Sequence, residues 1–436
     1  MLHEVNGIKS MSEVKHDTLD TGTEKPLLSI IIPTRNRHEY AYSAIRSVLN
    51  ISSDRFELVI QDNSDGNELE IHLKENYSDS RLRYNHTKEP LDVIANFNTA
   101  LELATGEYFT FIGDDDGVNP EIIDAVIWAK NNNIDALTPA NIAGYFWPDL
   151  RQKYYGNLNS GKLIIRNFTG EICLKNVEDG MIECAKSSFQ NLVYSMGMPK
   201  IYYGIVKMEC IEKVKERVGT YFPGVSPDMS GAMAVASYVK RFCTIDYPLY
   251  LPGSSAKSTA GIGAEKKHWG RLQDQPHLPV GCSDNWPDLV PKFFAVQTVW
   301  AQSGWSALKA TGREDILQEF NVPLLHAMCA TFNPHYFSFT LQSFLKALRV
   351  RNKSILFGIL QFLHGYVLTW WTRVESKLVQ LTSKLKSEKI HNTAGLNTIE
   401  DAVNALNFHL RNGGKQFEFF STKNKFNLND DNAHCA

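Results

Sequence analysis

The chain has 436 residues, 43% of them hydrophobic and 11% aromatic, enough for a sizeable core and more than one domain. Its 45 basic and 48 acidic side chains leave a formal charge of −3, which excludes the basic excess of a nucleic-acid binder. The seven cysteines are scattered with no CxxC or CxC pair, so neither a zinc knuckle nor a disulfide framework is expected, and reduced thiols in a cytoplasmic protein are the simplest reading.

Residues 1–25 are polar and carry both charge signs, with no apolar run. They read as a disordered tail rather than a signal peptide. "LLSIIIP" at 27–33 is a short continuous apolar run, which suits a strand buried on both faces. "EYAYSAIRSVLN" then has helical spacing, and "FELVIQDNSDG" is a second strand that stops in a turn cluster. A helix ("ELEIHLKENY"), a short strand ("LRYNHT") and a helix ("VIANFNTALELATG") follow, the last closed by Gly106 as a C′ glycine. "EYFTFIG" is the next strand, "EIIDAVIWAKNNN" a helix and "IDALTPA" a strand. Strand–helix alternation predicts an α/β domain with a mainly parallel sheet flanked by helices. Residues 146–190 are less regular. "IYYGIVKM" reads as a strand, "ECIEKVKERV" and "MSGAMAVASYVKRF" as helices, and "CTIDYPLYLPG" as a strand running into a Gly-rich loop. From about Trp286 onward the pattern is nearly all helical. The predicted division is a tail at 1–25, an α/β domain at 26–265 and a mostly helical extension at 266–436.

In such sheets ligands sit at the carboxyl ends of the strands. Three polar clusters fall there: "PTRNR", "QDNSDG" and "DDDG". The last contains Asp114, Asp115 and Asp116 in succession. Adjacent carboxylates at a strand end suit Mg²⁺ or Mn²⁺, which takes one or two carboxylates and completes its shell with phosphate oxygens. A plain turn, ended by Asn119-Pro120, is the alternative.

The pieces "SIIIPTRNR", "FELVIQDNSDG", "RLRYNHT", "NFNTALELATGEYFTFIGDDDGVNPE" and "SPDMSGAMA", in this order and spacing, resemble a family 2 glycosyltransferase of the GT-A fold, a Rossmann-like α/β architecture. The resemblance implies that Pro33, Thr34 and Arg37 line a nucleotide pocket. It implies that Asp62 accepts a hydrogen bond from a uracil imide, a task that suits an acceptor-only carboxylate; an Asx-type turn is the other reading of Asp62. Counting back five from Pro120 puts the second acid of the family's DxD motif on Asp115 and the first on Gly113, a departure. Asp115 is then the expected ligand of Mn²⁺ or Mg²⁺, with Asp116 beside it and Asp114 toward the donor. An inverting transferase also needs a base, and Asp228 stands where the family carries that acid. Helix capping explains an acid at that position equally well. Relatives carry a histidine in the loop where this chain reads "PGSSAKSTAG". Lys257 or Arg271 could meet the diphosphate instead, or His268 could replace the ligand.

"SILFGILQFLHGYVLTWW" at 354–371 is the most apolar run, with basic residues on both sides. A buried bundle helix, a homodimer contact and a peripheral membrane helix all suit it; a full span needs about 20 apolar residues. The resemblance implies a nucleotide-diphospho-sugar donor and a glycan or lipid-linked acceptor, handled in the cytoplasm or at the inner membrane face. Two other readings stay open. One is a nucleotidyltransferase of related layout, against which the glycine-free "PTRNR" counts. The other is a non-catalytic binding protein with a decayed transferase fold.

Overall fold

The computed structural model describes residues 25–140, 142–150, 160–192, 195–258, 269–383 and 391–413, without the side chains of 376–383. The 1–25 tail, apart from Lys25, and His268 lie outside them. The apolar run becomes β1 (Leu28–Thr34), followed by α1 (His38–Leu49), β2 (Phe56–Asp62), α2 (Glu68–Asn76), β3 (Leu82–His86), α3 (Val93–Glu102) and β4 (Tyr108–Phe111). β1 pairs in parallel with β2 and β4, and β2 with β3. Successive side chains of a strand point to opposite faces. Ile31 therefore joins the apolar cluster on one face of the sheet, and Ile30 and Ile32 join the other. With both faces covered, an unbroken apolar run is what the strand requires.

The chain continues through β5 (Gly117–Val118), α4 (Ile122–Asn131), β6 (Ala136–Pro139), β7 (Ala143–Phe146), β8 (Lys162–Ile165), β9 (Ile172–Lys175) and α5 (Val177–Lys186). Then come β10 (Ile205–Lys207), α6 (Met208–Val218), α7 (Pro227–Ala236), β11 (Phe242–Ile245), β12 (Tyr250–Leu251) and β13 (Gly253–Ser254). The main sheet has 8 strands in the order β3-β2-β1-β4-β10-β6-β11-β9. β10 runs antiparallel to both β4 and β6, and β9 antiparallel to β11, so the mainly parallel sheet carries antiparallel insertions. This is an α/β fold of the expected class.

β14 (Trp269–Gly270) and β15 (Phe294–Ala295) lead into α8 (Val296–Thr311), α9 (Glu314–Leu317), α10 (Val322–Phe332), α11 (Phe337–Val350) and α12 (Ile355–Ser383). Leu308, Leu325 and Phe344 of this helical part share one apolar cluster with Phe109 and Phe111 of β4. The chain then returns. β16 (His391–Ala394) pairs with β8, and Ile399, Val403 and Leu406 of α13 (Ile399–Asn412) join the cluster of Ile30. Arg46 of α1 meets Glu400 at 2.5 Å. The last helix thus packs against α1 and against the short strands β5 and β8.

Two expectations are corrected. Gly106 is not a helix C′ residue, because α3 ends at Glu102 and its cap, Leu103, is right-handed. A Cβ at 106 would lie 2.6 Å from the Ser29 backbone nitrogen, so glycine is needed there for close packing. The apolar run at 354–371 is not a buried bundle helix: only 22% of its most apolar window is buried.

Candidate active site

The register of the sheet assembles the site. Thr34 lies opposite Asp62, and Ile31 opposite Phe111, so the chain beyond β4 brings Asp114 level with Thr34. Thr34 Oγ1 donates to Asp114 Oδ2 at 2.5 Å. Arg37, in the turn after β1, reaches Asp114 Oδ1 and Asp115 Oδ2 with its two terminal nitrogens, each at 2.9 Å. It also donates to Ser255 Oγ at 2.9 Å, and Ser255 Oγ donates to Asp115 Oδ2 at 2.6 Å. Burial opposes the Arg37 charge, but Asp114 and Asp115 outweigh it and hold the guanidinium more firmly protonated than usual. Its Nε is buried with no acceptor. Burial pushes the Asp114 carboxyl up, against the pull of Arg37. A carboxylate in low dielectric resists ionisation unless paired.

Asp116 has a different task. Its Oδ2 accepts from the Gly113 backbone at 2.6 Å, Tyr203 Oη at 2.7 Å and Tyr202 Oη at 3.2 Å, and its Oδ1 accepts from the Gly253 backbone at 2.7 Å. A Cβ on residue 253 would lie 1.8 Å from the Asp115 carbonyl oxygen, so only glycine lets β13 come this close. Both oxygens of Asp116 are taken by donors. It ties the acid loop to β13 and to the Tyr202-Tyr203 pair. Among the described residues no group of three His, Cys, Asp or Glu side chains converges on a cation position. What remains is Asp115, one carboxylate whose Oδ2 faces Arg37 and Ser255. That donor set fits Mg²⁺ or Mn²⁺ only in the sparse form, in which substrate phosphates and water supply most of the shell.

Asp62 is fully buried. Its Oδ1 accepts from the Ser64 backbone at 2.8 Å, the Asx-type turn, and its Oδ2 from Tyr84 Oη at 2.9 Å. Asn36, at φ 56°, exchanges hydrogen bonds with Asp65 and so ties the β1 and β2 loops together. Pro33 is half-buried beside them.

Asp228 sits on the second residue of α7, with Ser226 as the N-cap. Its Oδ1 accepts from Ser226 Oγ and from the Met229 backbone at 2.9 Å. Burial pushes its carboxyl above the ordinary range. Asp228 lines a cavity of about 230 Å³ with Lys200, Tyr202, Tyr203, Tyr250 and Pro252. Tyr202 and Tyr203 are the residues that hold Asp116, so the cavity abuts the acid loop. Burial lowers the Lys200 ammonium to about 8.

Lys257 is drawn away to Glu39 on α1. Arg271 pairs with Asp274 at 2.9 Å and lines a separate surface cavity with Phe293 and Tyr336. Neither joins the acids. The reading from sequence missed Ser255, Gly253, Lys200 and the Tyr202-Tyr203 pair. "PGSS" after an apolar strand and a tyrosine doublet were the available signals.

A mostly parallel sheet with a polar, acid-rich cluster at its strand ends is the layout of an α/β enzyme that handles a ligand there. Residues 29–182 match the sequence model of Glycosyl transferase family 2. Over that segment, about a third of the chain, it is similar to glycosyltransferase family 2. It is similar to the putative colanic acid biosynthesis glycosyl transferase WcaA of Escherichia coli, 37% identical over 22% of this chain and 34% of that protein. It is also similar to the GalNAc(5)-diNAcBac-PP-undecaprenol beta-1,3-glucosyltransferase of Campylobacter jejuni, 31% identical over 21% of this chain and 30% of that enzyme. The matches thus span about a third of each of these relatives. Among solved structures, TarS of S. aureus in complex with UDP covers 80% of this chain and 92% of its own, at 15% identity and a TM-score of 0.43.

Proposed function

We propose that this chain transfers a sugar from a uridine-diphospho donor to a hydroxyl of a glycan or lipid-linked acceptor, with inversion, in the assembly of a surface polysaccharide. The observation that carries the reading is the continuity of two half-sites. Arg37, Asp114, Asp115 and Ser255 stand at the strand ends, and the Asp228 cavity opens against the same loop through Tyr202 and Tyr203. A donor diphosphate at the strand ends and an acceptor hydroxyl in the cavity meet between them. The names of the colanic acid and undecaprenol-linked relatives support the polysaccharide setting.

Asp228 takes the proton from the acceptor hydroxyl as its oxygen attacks the anomeric carbon. The bond from that carbon to the diphosphate oxygen breaks, and the configuration inverts. Its raised pKa suits a base, because the captured proton is held more firmly than by an exposed carboxylate. Arg37 faces the developing diphosphate charge, and Asp114 and Thr34 aim it. A bound Mn²⁺ or Mg²⁺, held by Asp115, supplies further charge neutralisation to the leaving group. Asp62 offers an acceptor for the uracil imide in place of a turn contact.

The test is release of free nucleotide diphosphate from a panel of UDP-, GDP- and CDP-sugars, with and without acceptor. Acceptor-dependent release from a UDP-sugar is expected. Diphosphate bound without turnover of any donor points to a decayed binding protein, and pyrophosphate exchange into a sugar phosphate points to a nucleotidyltransferase.

A further inference from the structure

α12 carries a three-sided pattern. At 3.6 residues per turn, Gly358, Phe362, Gly365 and Thr369 fall on one stripe, and all four are buried. They dock the helix lengthwise on α10 and α11. A Cβ at 358 would lie 2.5 Å from Leu348, and one at 365 lies 3.2 Å from Ala327. Opposite this stripe, Leu356, Leu360, Leu363, Val367, Trp370 and Trp371 are between 47% and 72% exposed. Gln361, His364 and Glu375 share the flank between with the exposed Phe357 and Leu368. Soluble monomers rarely expose a contiguous apolar face of this kind.

Charge selects the occupant. Residues 337–375 contain five basic side chains and one acidic one; with Lys346 paired to Asp288, a surplus of +3 is left in a chain of net −3. Arg349 and Lys353 are exposed at the turn that opens the apolar face, and Arg373 stacks on Trp370 at 5.2 Å near its far end. Two copies docked through this face would oppose one cationic rim to another. A bilayer surface rich in anionic lipid offers hydrocarbon to the leucines, an interfacial layer to the paired tryptophans and negative headgroups to the rim. A full span is opposed by Gln361, His364 and Glu375 within the helix and by the lengthwise docking on α10 and α11.

We infer that α12 seats this protein on an anionic membrane surface, lying in the interface with the Leu360–Trp371 face inserted. The inference stands on α12 and the basic turn before it, apart from the acid loop, so its failure leaves the transferase reading untouched.

The test is flotation of the full chain with vesicles of phosphatidylglycerol and phosphatidylethanolamine, and separately with phosphatidylcholine vesicles. Binding to the anionic vesicles is expected, at least about tenfold weaker on phosphatidylcholine and at raised salt. The double variant Leu360→Glu/Val367→Glu should lose about tenfold or more in vesicle binding, with unchanged circular dichroism and melting, since both positions are exposed. Arg349→Glu/Lys353→Glu should weaken only the anionic component. Equal binding to both vesicle types, flotation that survives Leu360→Glu/Val367→Glu, or no flotation at all overturns the inference. So does a solution dimer that the same variant dissociates, or native membrane association that resists alkaline carbonate.

Discussion

Ser255 Oγ lies 2.6 Å from Asp115 Oδ2, across 140 residues of sequence. The contact joins the loop after β13 to the acid loop after β4 and fixes Asp115, which like Asp114 takes its partners from outside its own loop. Asp115 is thereby held facing Arg37 rather than turned into the core. Hydrogen bonds to a charged group contribute roughly 1.5–3 kcal/mol. Ser255→Ala should therefore lower turnover about ten- to a hundredfold, with donor release as the readout. Wild-type turnover in that variant would mean that Asp115 needs no external support.

The acids should separate by phenotype. Asp116→Ala strands the backbone donors of Gly113 and Gly253 and the hydroxyl of Tyr203, and should cost on the order of 1–3 kcal/mol or more of stability. Asp115→Ala, which leaves Arg37 paired with Asp114, should cost less stability than Asp116→Ala and abolish most turnover, with activity in the wild type lost to chelator and restored by Mn²⁺ or Mg²⁺. A stable, active Asp115→Ala enzyme would falsify the assignment.

Asp62 is the test of donor base. Binding of uridine diphosphate should exceed that of guanosine and cytidine diphosphate in calorimetry. Asp62→Asn should weaken uridine diphosphate by roughly 1–3 kcal/mol, the usual cost of an unsatisfied buried partner. If all three nucleotides bind equally, Asp62 is only the turn and Tyr84 partner seen in its hydrogen bonds.

Asp228→Asn keeps the acceptor for the Met229 backbone and the fold. It should lower turnover by ~10²–10⁴-fold with donor affinity unchanged, and the wild-type product should have inverted anomeric configuration. A helix-end role alone predicts near-normal rates for Asn and a loss of stability only for Ala.

The same residue predicts a pH dependence. Burial raises the Asp228 pKa, and a base acts deprotonated, so the rate should rise with pH through a value above the ordinary carboxylate range. The stability sign is the reverse. A folded pKa above the unfolded one means the folded state binds the proton more tightly. Stability from this group falls as pH rises past the unfolded pKa, and the loss is complete above the folded one. Asp228→Asn should flatten that slope in melting curves; an acid limb at the usual carboxylate pKa would contradict the burial.

The strands β1, β2 and β4 were legible in the sequence because a strand covered on both faces needs a largely apolar centre, such as Ile30–Ile32 and Leu58–Ile60, and that demand is local. The polar clusters at their ends were legible for the same reason: parallel topology carries strand ends to one edge, whatever the intervening helices contain. The acid triplet could not be divided by inspection, since three adjacent aspartates look alike until donors arrive from elsewhere. Asp116 became a strut through Gly253 and Tyr203, 137 and 87 positions away, and Lys257 went to Glu39 because α1 happens to pass it. The fate of the apolar run at 354–371 was also tertiary. Composition made it a helix, but only its docking on α10 and α11 through Gly358 and Gly365 decided which stripe is buried and which faces outward. Local apolar patterning determines which segments become strands and helices; long-range packing decides which polar group each side chain meets, because hydrogen bonds and ion pairs act over a few ångströms that sequence distance does not measure.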